Sequence, residues 1–117
     1  MRHRVKNNKL NRAKPERVSL VRNLLKSIIK HETINTTEAR YKAVKAEFDK
    51  LVNFAKPGDN VALRRSFAVL RDEALCNKLI EDIAKRYTDR NSGYLKAYKL
   101  ENRGGDNAKM VKIELIK

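Results

Sequence analysis

The chain has 117 residues, enough for one domain with a modest core. Its 28 Lys and Arg oppose 14 Asp and Glu, a formal net charge of +14, which points to nucleic acid or, less directly, an anionic membrane surface. The single cysteine, Cys76, excludes an internal disulfide and suits a reducing compartment. No apolar run approaches the ~18 residues of a membrane span, and no apolar segment follows the basic N-terminus as in a signal peptide. The sequence therefore predicts a soluble, non-secreted chain.

The charge is concentrated at one end. The first 30 residues hold ten of the basic residues and one acid, Glu16, leaving 18 basic and 13 acidic residues for the other 87. Within residues 1–14, Arg2, Arg4, Lys6, Lys9, Arg12 and Lys14 stand without any acid. The apolar residues there, Met1, Val5, Leu10 and Ala13, follow no period. Such a stretch buries too little apolar surface to offset its ordering entropy, so it reads as an extended polyanion-binding arm, disordered when free. Residues 15–117 read as a single domain.

Pro15 opens the first predicted helix, where its missing N–H does no harm. Val18, Val21, Leu24, Leu25, Ile28 and Ile29 recur at helical spacing and form its inner stripe. Arg22, Lys26 and Lys30 make a separate row, each four residues from the last, beside a parallel row of Ser19, Asn23 and Ser27. Like charges at this spacing oppose an isolated helix by a few tenths of a kcal/mol (~0.2–0.5) per pair. A phosphate backbone along the row would turn that repulsion into attraction; otherwise it is a solvated face.

Thr33 to Thr36 is short, β-branched and strand-like. Thr37 suits the cap of a second helix running to about Lys56, with Tyr41, Val44, Phe48, Leu51, Val52 and Ala55 on one arc. Its charges fall into opposite pairs, Glu38–Lys42 and Lys45–Asp49, so its outer face reads as mainly structural. After the Pro57-Gly58 turn, Asp59 or Asn60 caps a shorter helix, expected to turn Leu63, Phe67 and Leu70 inward and Arg64 and Arg71 outward. A fourth helix from Glu73 to about Tyr87 buries Leu75, Cys76, Leu79, Ile80, Ile83 and Tyr87. Cys76 sits mid-stripe as a core residue and not a nucleophile. Strands follow at Tyr94 to Leu100 and Lys109 to Ile116, joined by a glycine-bearing hairpin loop. Gly104-Gly105 in that loop serves turn geometry or offers N–H groups to a phosphate. The order α-β-α-α-α-β-β predicts a two-layer α+β domain whose small sheet is covered on one face by helices.

Catalytic and cofactor chemistry is missing from the pattern. His3 and His31 lie far apart, and with one cysteine they make no metal-ligand spacing. No phosphate loop follows a strand and no nucleophile–base grouping is suggested, so neither enzyme, cofactor, metal nor small-molecule substrate is expected.

Four stretches together resemble one family, the bacterial large-subunit ribosomal protein numbered seventeen. Met1-Arg2-His3-Arg4 with Lys9-Leu10-Asn11-Arg12 resembles its MRH…KLGR opening. Ile34 to Lys42 resembles its I-x-T-T-x-x-[KR]-A-K segment. Arg90-Asn91-Ser92-Gly93-Tyr94 resembles its RxGGY segment. Arg103-Gly104-Gly105-Asp106 with Met110 and Ile113-Glu114-Leu115 resembles its RxGD…M…IEL close. The chain departs from the pattern at Asn11, Tyr41, Ser92 and Lys96, where glycine, alanine, glycine and arginine are usual; Lys96 keeps the charge but loses the forked donor.

The resemblance implies a two-layer α+β fold, a place in the large subunit of the bacterial ribosome in the cytoplasm, and no catalysis. It also implies contacts with large-subunit ribosomal RNA and with neighbouring ribosomal proteins. The residues expected to contact RNA begin in the arm with Arg2, His3, Arg4, Lys6, Lys9, Arg12 and Lys14. Arg17, Arg22, Lys26 and Lys30 follow on the first helix. Arg40, Arg64, Arg90, Tyr94, Lys96 and Arg103 complete them. A DNA-binding architectural protein would share the charge but should offer a recognition helix or minor-groove wedge, and no segment stands out as either. A membrane-surface module would share the amphipathic first helix but should carry Trp or Phe on it.

Overall fold

The computed structural model describes residues 13–116. The arm expectations for Arg2, His3, Arg4, Lys6, Lys9 and Arg12 lie outside them. Helix α1, Lys14–His31, starts from an extended Ala13 with Pro15 in its first turn and buries Leu25, Ile28 and Ile29. It stops at Glu32, a non-glycine residue at φ 62°, whose N–H donates to the Ile28 carbonyl at 2.8 Å. A left-handed conformation costs an ordinary residue about 1–2 kcal/mol, and here the Glu32 carboxylate is tied to Arg86 and, at 3.5 Å, to Lys78.

Strand β1, Thr33–Thr37, leads directly into helix α2, Glu38–Ala55. The Thr37 hydroxyl accepts from the Arg40 N–H at 3.4 Å, as the sequence predicts for a capping residue. Val44, Phe48, Leu51, Val52 and Ala55 are buried, with Tyr41 half-buried at the edge of the same arc.

Helix α3, Asn60–Leu70, is capped by Asp59, whose carboxylate accepts from the Ala62 N–H at 2.8 Å. Its rotation corrects the sequence expectation. Ala62, Ser66 and Leu70 face the core, whereas Leu63 and Phe67 are 40% and 48% exposed. Leu63, Phe67 and Leu70 share a helical stripe, but Ala62 and Ser66 share one with Leu70 as well. The small pair lets α3 lie closer to its neighbours. The Ser66 hydroxyl is fully buried with no hydrogen-bond partner among the described residues. Replacing Ser66 with Ala should therefore stabilise the domain by about 1 kcal/mol, the order of the penalty for an unsatisfied buried hydroxyl. Urea titration checks this, and a loss of stability would show that the hydroxyl is satisfied in solution.

Helix α4 begins at Glu73–Lys78, passes through a π-helical turn at Leu79–Ile83 and finishes as Ala84–Arg86. In that turn the Ala84 N–H reaches the Leu79 carbonyl five residues back. The extra residue re-aims the buried side, so that Ala84 joins Cys76, Leu79, Ile83 and Tyr87 in the core. Cys76 is fully buried, and loss of solvent pushes its thiol pKa up, the opposite of an activated nucleophile.

Strands β2, Leu95–Lys99, and β3, Met110–Leu115, form the C-terminal hairpin, and β3 also pairs with β1. The sheet order is β1-β3-β2, antiparallel throughout, with Ile34 and Ala97 both opposite Ile113. One face therefore carries Ile34, Thr36, Leu95, Ala97, Val111, Ile113 and Leu115 against the helices. The other presents Asn35, Lys96, Tyr98, Lys112 and Glu114, the last two an ion pair at 3.2 Å. This is the two-layer α+β arrangement that the element order predicts.

Candidate nucleic-acid interface

Which cations are free to meet an external anion depends on where the carboxylates lie. On α2, Lys42 pairs with Glu38 and Lys50 with Glu47, each at 3.5 Å. On α4, Arg86 grips Asp82 through two bonds of 2.8 and 2.9 Å and also binds Glu32. Hydrogen bonds from Arg86 hold both carboxyls below the usual range, and the same bonds raise the pKa of Arg86 itself. That guanidinium is committed within the fold.

Helix α1 is different. Glu16 is its sole acid, and among the described residues none of Arg22, Lys26 and Lys30 forms an ion pair. The three lie in one row about 12 Å long, given the helical rise. Beside them Ser19 and Asn23 are exposed and Ser27 half-buried, small groups that leave room for a phosphate backbone. Lys14 opens the helix, and Arg17, half-buried, lies off the row five residues before Arg22.

The remaining candidates stand apart from this row. Arg40 is on the first turn of α2 and Arg64 is exposed on α3. Lys96 lies over the Tyr98 ring at 5.1 Å on the open sheet face. Arg103 in the hairpin loop donates to Asp106, with one bond at 3.1 Å, and holds that carboxyl at about 2. In the same loop Gly105 takes φ 97°, a conformation that favours glycine. Tyr94 is fully buried, its ring 5.1 Å from that of Tyr87, and has no surface to stack on a base.

Two residues of α2, and Lys56 at its C-terminal cap, carry a role that periodicity does not show. The expected Lys45–Asp49 pair is absent: Lys45 lies over the Tyr41 ring at 5.9 Å. The Asp49 carboxylate instead accepts from the Gly93 and Tyr94 N–H groups at 3.3 and 3.4 Å. Asn53 donates to the Asn91 carbonyl at 3.1 Å, and the Lys56 ammonium donates to the Arg90 carbonyl. Together they fasten the loop at residues 88–93 to α2. Its polar, glycine-ended composition reads as a loop and the likeness of Arg90 to Tyr94 to a family segment marks it again, but nothing local marks its tethers.

Among the described residues, no group of three His, Cys, Asp or Glu side chains is placed to hold a metal. No helix there is long and apolar enough to cross a membrane.

A family model for ribosomal protein L17 matches residues 20–116, from the first helix to the end of the sheet. The chain belongs to the ribosomal protein L17 family. Relatives named large ribosomal subunit protein bL17 align over almost all of it. The one from Fervidobacterium nodosum is 43% identical over 99% of both chains. That from Syntrophotalea carbinolica is 42% identical over 99% of this chain and 75% of its own length. The relative from Dehalococcoides mccartyi is 38% identical over the full length of both. L17 family members are structural ribosomal proteins and not enzymes, as the sequence predicts for this chain.

Proposed function

We propose that this chain is a structural constituent of the bacterial large ribosomal subunit, in the cytoplasm, and that it binds large-subunit ribosomal RNA. Neighbouring ribosomal proteins are its other partners. The observation that carries the binding reading is the α1 row, where Arg22, Lys26 and Lys30 have no ion pair among the described residues beside small polar neighbours. Folded RNA is recognised largely through phosphate, 2′-OH and shape, which suits cations without exposed aromatics around them. The basic arm at residues 1–14 extends the same charge along the chain. Arg40, Arg64, Arg90 and Lys96 add dispersed contacts, and Arg103 adds one by exchanging its partner Asp106.

Affinity for large-subunit ribosomal RNA at several salt concentrations tests the row. Lys26→Gln and Arg22→Gln should each weaken binding and make the log affinity–log salt slope shallower by about 0.7 to 0.9. Lys42→Gln, already paired with Glu38, should do much less. Equal slopes for all four proteins would return the row to solvent.

A further inference from the structure

The loop at residues 88–93 is held more tightly than its composition requires. Thr88, Asp89, Arg90, Asn91 and Ser92 are all exposed and bring no apolar side chain to the core. A polar surface loop of this kind ordinarily stays mobile. Here α2 and its C-terminal cap residue Lys56 send three polar side chains to its backbone. The Asp49 carboxylate receives two consecutive N–H groups, of Gly93 and Tyr94. Asn53 holds the Asn91 carbonyl and Lys56 the Arg90 carbonyl. From beneath, the buried Tyr94 hydroxyl lies 2.7 Å from the same Arg90 carbonyl and 2.6 Å from Asn53 Oδ1. Gly93, at φ 69°, supplies the left-handed turn that lets Arg90 Nη1 reach the Gly93 carbonyl at 3.1 Å.

We propose that Asp49, with Asn53 and Tyr94, is a positioning residue: it pre-forms the loop at residues 88–93 as a rigid contact for the sugar–phosphate backbone of RNA. The inference rests on the ribosomal RNA reading above and adds the loop's shape to it. Arg90 and Lys56 supply the positive charge, and neither forms an ion pair among the described residues. Asp89 is the loop's own acid and remains exposed. Asp49, the acid beneath it, has its oxygens turned to backbone amides. A loop already in its bound shape loses less conformational freedom on association, so the tethers act on affinity although they touch no RNA.

Electrostatics and pre-organisation predict opposite signs for one substitution. Asp49→Ala raises the net charge by one, so a purely electrostatic interface would bind RNA more tightly. If Asp49 acts by holding the loop, the same change weakens binding about three- to tenfold, the cost of ordering a few released groups. The full-length chain is titrated with large-subunit ribosomal RNA at several salt concentrations. Amide exchange at residues 88–94 and the melting temperature are measured in parallel. The expected result is faster exchange at Gly93 and Tyr94, weaker binding and a salt slope close to wild type. Asn53→Ala, at an exposed position, removes a milder tether and should follow the same pattern to a smaller extent. It decides the matter if Asp49→Ala melts the domain. Faster exchange with equal or tighter RNA binding overturns the inference, as does unchanged exchange. A wild-type chain that fails to bind the RNA overturns the ribosomal RNA reading and this inference with it. Retained wild-type binding with indifferent variants overturns this one alone.

Discussion

A chain lacking residues 1–12 should lose most of its affinity for large-subunit ribosomal RNA while melting within a few degrees of the intact protein. The deletion removes Arg2, Arg4, Lys6, Lys9 and Arg12 and no acid. If each meets a phosphate, the salt slope should become shallower by about 3.5, at ~0.7 per contact. Affinity would then fall most at low salt, where counterion release drives binding hardest. The folded domain should not notice. Its described core starts at Leu25 on α1 and ends at Leu115 on β3, apart from partly buried neighbours such as Val21. Calorimetry beside RNA titration separates the two effects. A large drop in melting temperature would mean that the arm acts as structure, and the division between arm and domain would be wrong.

Phe48→Ala should be the most damaging single change to the fold, at about 3–5 kcal/mol for a large aromatic truncated in a packed interior. Phe48 is fully buried in the middle of α2, the helix that packs on α1, α3 and the sheet. Total stability of a domain is commonly about 5–15 kcal/mol, so this one substitution should remove a large share of it. Phe67→Ala offers the informative contrast. The side chain is the same, but at 48% exposure its truncation should cost well under half as much. Urea titration of both variants checks the rotation of α3. Equal losses would place Phe67 inward, as a reading of apolar spacing alone has it.

That contrast marks a boundary between two kinds of information. Helices α1 and α2, their start and stop positions, and the caps at Thr37 and Asp59 are legible in sequence because they arise from interactions a few residues apart. The alternation of Val111, Ile113 and Leu115 fixes which side of β3 is buried for the same reason: period two is local. The basic row on α1 is likewise visible, since residues four apart share a helix face whatever surrounds them. The residue type of Cys76 and its place in a stripe are enough to predict a core thiol.

Other features needed the assembled domain. Helix α3 has two candidate stripes, and only the fit of Ala62 and Ser66 against neighbouring helices chose between them. The π-helical turn at Leu79–Ile83 re-aims one side of α4, a change no local propensity announces. Lys45 and Asp49 have the spacing of an ion pair, but the amides of Gly93 and Tyr94, more than 40 residues away in sequence, bind that carboxylate in two places. Glu32, at the end of α1, takes a glycine-like conformation with its carboxylate held by Arg86 and Lys78 of α4, partners that no local spacing announces. Tyr94 falls in a family-like segment that suggests contact with RNA, yet packing places its ring in the core and its hydroxyl under the loop. Charge and periodicity therefore determined from sequence alone that this is a basic α+β chain suited to nucleic acid. Tertiary structure decided which charges remain uncommitted and which loop is tethered, because both depend on partners that only folding brings within hydrogen-bond distance.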